Sequence, residues 1–158
     1  MKKKTREQDI YYFDSKEQED TGRCAGMLRQ MISEIMQREN RKGVLLFCIG
    51  TDRSTGDSLG PLTGHKLKAA GLEDCFVQVV GTLDCPVHAM NLEQAVFMVH
   101  RCYPEYVIVA VDASVGQTEH VGCITLGRGA LRPGLGVSKE LQAVGDIFIT
   151  GIVGGYGS

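Results

Sequence analysis

Asp57 and Asp112 are the residues of this 158-residue chain whose type and placement point most directly to chemistry. Asp57 opens a helical pattern just after an apolar run at 44–49, and Asp112 closes a second apolar run at 106–111. Two carboxyls at one partly desolvated place tend to separate their proton affinities, so that one stays ionised while the other holds its proton. An ionised aspartate can activate water, and a protonated one can donate to a developing oxyanion or a leaving group. That pairing suits hydrolysis of a peptide or other acyl bond. Each residue also has a plainer role open to it. Asp57 can cap the helix it precedes, and Asp112 can merely accept backbone amides at a strand end.

The loop around Asp57 supplies the supporting candidates Thr51, Asp52 and Ser58. Its glycines suggest a phosphate loop, but five residues separate Gly50 from Gly56, and Asp57 stands where a phosphate-binding lysine is required. A carboxylate at that helix start repels phosphate. A second loop, at 82–88, holds Cys85 and His88. A thiol–imidazole pair is conceivable there, although nothing electropositive surrounds it, and His88 is kept as a supporting residue. His65, His100 and His120 read as solvated. No third ligand with telling spacing joins the two aspartates, so neither a metal nor a cofactor is expected.

What must position these residues is an α/β layer structure. Met27, Leu28, Met31, Ile32, Ile35 and Met36 form a stripe at helical spacing, predicting a helix over 21–41 capped by Asp20 or Thr21 and ended by Gly43. Buried strands are predicted at 44–49 and 106–111, the first suited to burial on both faces, and a further strand at 76–80. Helices over 58–70 and 91–102 lie between them, the first with Leu59, Leu62 and Leu67 inward and Pro61 in its first turn. Further strands are predicted at 121–126 and 147–153, with an irregular stretch holding at most a short helix at 127–146. Counted from the strand at 44–49, right-handed crossovers give a mostly parallel sheet whose order begins 2-1-3. The chain then leaves the first and third strands toward opposite faces. A crevice opens at their carboxyl ends, and both aspartates flank it.

Composition bounds the rest. Glycine is unusually abundant at 20 residues, but proline is only 4 and no short period repeats, so the chain is neither collagen-like nor of low complexity. The formal net charge of -2 argues against a nucleic-acid partner. No apolar run reaches the ~20 residues of a membrane span, and no secretory signal follows the three lysines at the start. The six cysteines have no CxxC spacing and fall partly in apolar runs. This predicts reduced, structural thiols in a cytoplasmic protein. Residues 1–20 are rich in both charges and read as a solvated, flexible extension, with 21–158 forming a single domain. The apolar island at 10–13 reads as local packing.

The segment from Ile49 to Pro61 is distinctive. Together with Gly81-Thr82-Leu83, Pro86-Val87-His88-Ala89, Asn91-Leu92, Val111-Asp112-Ala113 and Val144-Gly145-Asp146, it resembles the YyaC-type sporulation proteins of spore-forming bacteria. That family is similar to the germination protease, which degrades small acid-soluble spore proteins, and more distantly to hydrogenase maturation proteases. The resemblance implies a three-layer fold of the phosphorylase/hydrolase type, with helices on both faces of the sheet. It also implies a cytoplasmic place in the spore or forespore, and protein or peptide substrates such as small spore proteins. The germination protease is thought to use two aspartates, one in an Asp-x-Leu-Gly-Pro segment and one in a strand-ending Asp-Ala. Asp57-Ser58-Leu59-Gly60-Pro61 and Asp112-Ala113 match them. In the maturation proteases the two acids join a histidine in binding nickel, and the corresponding stretch, Arg132 to Val137, has none.

The expectation is therefore a sporulation-associated peptidase or peptidase-like hydrolase using an aspartate pair. A non-catalytic peptide-binding factor and a metal-dependent processing protease stand as alternatives. The chain stops right after a predicted strand, where family members usually continue into a further helix. That reads as a shortened C-terminus whose exposed apolar surface favours a homo-oligomer.

Overall fold

The computed structural model describes residues 9–133 and 142–157. Residues 134–141 of the predicted irregular stretch at 127–146, and with them part of the Arg132 to Val137 segment, lie outside the described residues. Among the described residues, six strands form one sheet. In chain order they are β1 (Ile10–Asp14), β2 (Gly43–Cys48), β3 (Val77–Val80), β4 (Tyr106–Gly116), β5 (Cys123–Arg128) and β6 (Ile147–Gly155). Among the described residues they are accompanied by α1 (Gln18–Glu39), α2 (Leu59–Ala69) and α3 (Leu92–Cys102).

Over all six strands the order is β1-β5-β6-β4-β2-β3, which does not begin 2-1-3, because the fold gains a strand before the first one counted from the sequence; the three strands counted from 44–49 do lie side by side as β3-β2-β4. Ile10–Asp14, placed by the sequence in a flexible extension, pairs antiparallel with β5. Within the parallel part, β2 lies between β3 and β4, β6 continues parallel beside β4, and β5 turns antiparallel on β6. The sheet is thus mostly parallel with a two-strand antiparallel edge.

Alternation along the strands separates two cores. On one face Val107, Val109, Leu126 and Ile147 meet Met31 and Ile35 of α1, with Met27, Leu28, Ile32 and Met36 packed around them. The helical stripe read from the sequence is the buried face of α1. Its start lies earlier than expected: Glu17 is the N-cap, and the Asp20 carboxylate instead accepts from the Asp14 amide at 2.9 Å, tying α1 to β1. Asn40, not Gly43, ends α1 in a left-handed conformation (φ 53), and Gly43 opens β2. On the opposite face Leu45, Phe47, Ile108 and Ala110 meet Leu92, Val96 and Val99 of α3. α2 packs against β2, β3 and β4. Its Leu62, expected inward, is exposed.

All six cysteines are free. Burial pushes the Cys48 thiol up to about 12, which keeps it inert as a nucleophile. Among the described residues, no helix is long and apolar enough to cross a membrane.

Candidate functional site

The carboxyl ends of β2 and β4 define the site. β2 and β4 are parallel neighbours, and the Ile49 amide donates to the Val111 carbonyl at 2.7 Å, just past the β2 end. The chain then leaves β2 through a loop that closes on itself. The Thr51 amide donates to the Asp57 carbonyl at 2.9 Å, and the Asp57 amide donates to the Ser54 carbonyl at 3.0 Å. Gly50 makes this closure possible. It adopts φ 147, and a Cβ there would collide with the Asp57 carbonyl. At the helix start, a Cβ on Gly60 would collide with the Ile49 carbonyl, so glycine lets α2 approach the end of β2.

A single 3-10 turn, Thr55–Asp57, carries Asp57 and touches β4. Asp57 does not cap α2. Ser58 is the N-cap residue, no side chain makes a capping bond, and α2 begins at Leu59. Asp57 is half-buried, and its side chain takes no hydrogen bond from the described residues. The capping role open to it in the sequence is not the one it performs.

Asp112 does not close its strand, contrary to expectation. β4 runs on to Gly116, with Asp112, Ala113 and Ser114 still paired to Thr150, Gly151 and Ile152 of β6. Aspartate disfavours strand interiors, and this one is only 2% exposed. Burial pushes its carboxyl from 3.8 up to about 7; a hydrogen bond from the Ala113 backbone opposes the rise and the Asp57 charge adds to it. A carboxyl there is a proton donor near neutral pH.

The supporting candidates separate. The Thr51 hydroxyl accepts from the Arg53 amide at 3.2 Å, and the Ser58 hydroxyl donates to the Thr55 carbonyl at 2.9 Å, so both brace the Asp57 loop. Asp52 is exposed on that loop. His88 lies in the loop after β3, where its Nδ1 accepts from the Met90 amide at 3.2 Å and its own amide donates to Asn91 at 2.8 Å. His88 thus shapes the entry to α3, and it makes no hydrogen bond to Cys85. Among the described residues, no group of three or more His, Cys, Asp or Glu is arranged to hold a metal. A hollow of about 470 Å³ lies beside α3, lined by Val79, Cys85, Pro86, Met98 and Tyr103 among others, and neither aspartate reaches it.

Sequence reasoning missed Ser114, Thr125 and Thr150. These hydroxyls share the sheet face of Asp112 and line a recess of about 260 Å³. Residues 12–158 match the family described as "Protein of unknown function (DUF1256)". The chain belongs to that family. It is also 43% identical over 130 residues to the "Uncharacterized protein YyaC" of Bacillus subtilis (strain 168), over 82% of this chain and 62% of the relative. The chain therefore matches less than two thirds of that relative's length.

Proposed function

We propose that this DUF1256 member is a peptidase in which Asp57 and Asp112 work as a base–acid pair on water. The observation that carries the reading is a buried carboxyl, Asp112, held protonated up to about pH 7 beside a second carboxylate that nothing else engages. A structural aspartate at a strand interior has no need of an unpaired acidic neighbour.

In the proposed step the Asp57 carboxylate takes a proton from water as the water oxygen bonds to the peptide carbonyl carbon. Asp112 gives its proton to the leaving nitrogen as the C–N bond breaks. The proton on Asp57 then returns to Asp112 through solvent, which restores both groups. Partial desolvation past the β2 end, where Asp112 lies within β4, strengthens each transfer.

Kinship with the germination protease belongs to the same proposal. It rests on Asp57-Ser58-Leu59-Gly60-Pro61 and Asp112-Ala113, and a mostly parallel sheet with helices on both faces supports it. On that kinship the substrates are proteins or peptides of a sporulating cell, small acid-soluble spore proteins first.

The test is incubation of the purified protein with such spore proteins, read by mass spectrometry for new termini. New termini that vanish with Asp57→Asn and with Asp112→Asn are expected. Identical cleavage by either variant would overturn the mechanism, and a stable complex without cleavage would make the protein a binder.

A further inference from the structure

The face of the sheet that carries Asp112 is only half covered. α3 closes it over β2 and β4. Over β6, β5 and β1 the same face instead forms the recess, whose walls include Tyr12, Gln117, His120 and Ile152. The Tyr12 and His120 rings stack with centroids 4.5 Å apart on one side. The Phe148 ring sits against Gly127, where a Cβ would strike it.

Three hydroxyls lie on the floor of the recess. Ser114 donates to Thr150 at 3.2 Å, and the Thr150 and Thr125 hydroxyls share a short hydrogen bond. Three hydroxyls carry three protons. Two are used within the chain, and the third has no acceptor among the described residues. Thr125 and Thr150 are only 6% and 7% exposed, so an unanswered O–H there is costly. On this floor the hydroxyl chain offers one donor and several lone pairs, and Tyr12, Gln117 and His120 bring further polar groups to the walls of the recess. No Asp, Glu, Lys or Arg lines it.

Its place matters as much as its chemistry. Thr150 is the β6 partner of Asp112, and Ser114 follows Asp112 by two residues on the same face, roughly 6–7 Å along the strand. The volume of about 260 Å³ falls below the ~300–1,000 Å³ of sites for drug-sized ligands and suits one side chain.

We propose that this recess is the subsite for an uncharged polar side chain next to the scissile bond, a glutamine carboxamide by preference. The proposal rests on the peptidase reading for its place in catalysis, and on the hydroxyl chain for its selectivity. The carboxamide oxygen takes the unanswered O–H, and the amide protons reach the remaining lone pairs. Leucine leaves the O–H unmet. Glutamate meets it but brings a charge into a recess that holds no Lys or Arg.

The experiment is a titration of the labelled protein with N-acetylglutamine N-methylamide, read by amide NMR, with the leucine and glutamate analogues run in parallel. Saturable shifts at Gly116, Gln117, Thr125 and Thr150 are expected, with the other two compounds roughly 10-fold or more weaker. Ser114→Ala, which removes lone pairs but leaves one O–H unanswered between Thr125 and Thr150, should weaken the preference for glutamine over leucine, and the triple variant Ser114→Ala/Thr125→Val/Thr150→Val should erase it. Equal binding of the three compounds, or shifts confined to the hollow beside α3, would overturn the subsite. The titration needs no turnover, so the two readings fail separately. Cleavage without glutamine preference removes the subsite and leaves the aspartate pair. Glutamine-selective binding by a protein that cleaves nothing keeps the recess and removes the chemistry.

Discussion

Two halves of one sheet face differ in kind. Under α3 the face is apolar and closed, built from Leu45, Phe47, Ile108 and Ala110. Across β4, β6 and β5 it turns to Asp112, Ser114, Thr150 and Thr125, and it opens into a recess. Asp112 stands at the boundary, on a strand that serves both halves. The difference teaches where stability and function are divided. A buried acid and a buried hydroxyl chain weaken a core, so a sheet that keeps them beside a sound apolar core holds them for something other than packing.

The largest effect that would test this division is on rate. Asp57→Asn and Asp112→Asn should each lower peptidase turnover by roughly 10²–10⁴-fold with the fold intact by circular dichroism. Equal loss from a substitution under α3 that leaves the fold intact would erase the contrast.

Next is a pH effect on stability. The Asp112 carboxyl is raised from 3.8 to about 7 in the folded protein, so the folded state binds the extra proton between those values. Unfolding free energy should therefore fall as pH rises from about 4 to 7, by at most roughly 4 kcal/mol from this group. Asp112→Asn should flatten that slope and raise stability at pH 8, as read by urea unfolding. An unchanged slope in the variant would place the acid in solvent rather than in the core.

Smaller again is Leu92→Ala, in the closed half. The side chain is 1% exposed, and its loss should cost about 3 kcal/mol in urea unfolding with no change of substrate preference. Smallest is Ser114→Ala in the open half, at about 1 kcal/mol or less, with the effect appearing in ligand selectivity instead.

The sequence showed the closed half well and the open half poorly. β2 lies in a continuous apolar run between Gly43 and Gly50, β3 is apolar but for Gln78, the first half of β4 is apolar up to Asp112, and α1 and α3 carry stripes at helical spacing, so local pattern is enough. From those elements alone, both aspartates could be assigned to one sheet end. The sequence makes Asp112 a strand terminus, because aspartate ends strands more often than it interrupts them; the continuation of β4 depends on β6, which follows some 35 residues later in the chain. Ile10–Asp14 was hidden for the same kind of reason. Five residues flanked by charges become a strand only by pairing with Cys123–Arg128. The hydroxyl chain was the least legible feature, since Ser114, Thr125 and Thr150 meet only once the registers of three strands are set. A threonine in each of two strands and a serine in a third are unremarkable singly.

The account depends most on Asp112 holding its proton beside Asp57. A carbon-13 titration of the aspartate carboxyls by NMR measures this directly. Asp112 should titrate at about pH 7 in the native protein, and lower once Asp57→Asn removes the neighbouring charge. An Asp112 carboxyl that titrates near 3.8, indifferent to Asp57, would contradict it.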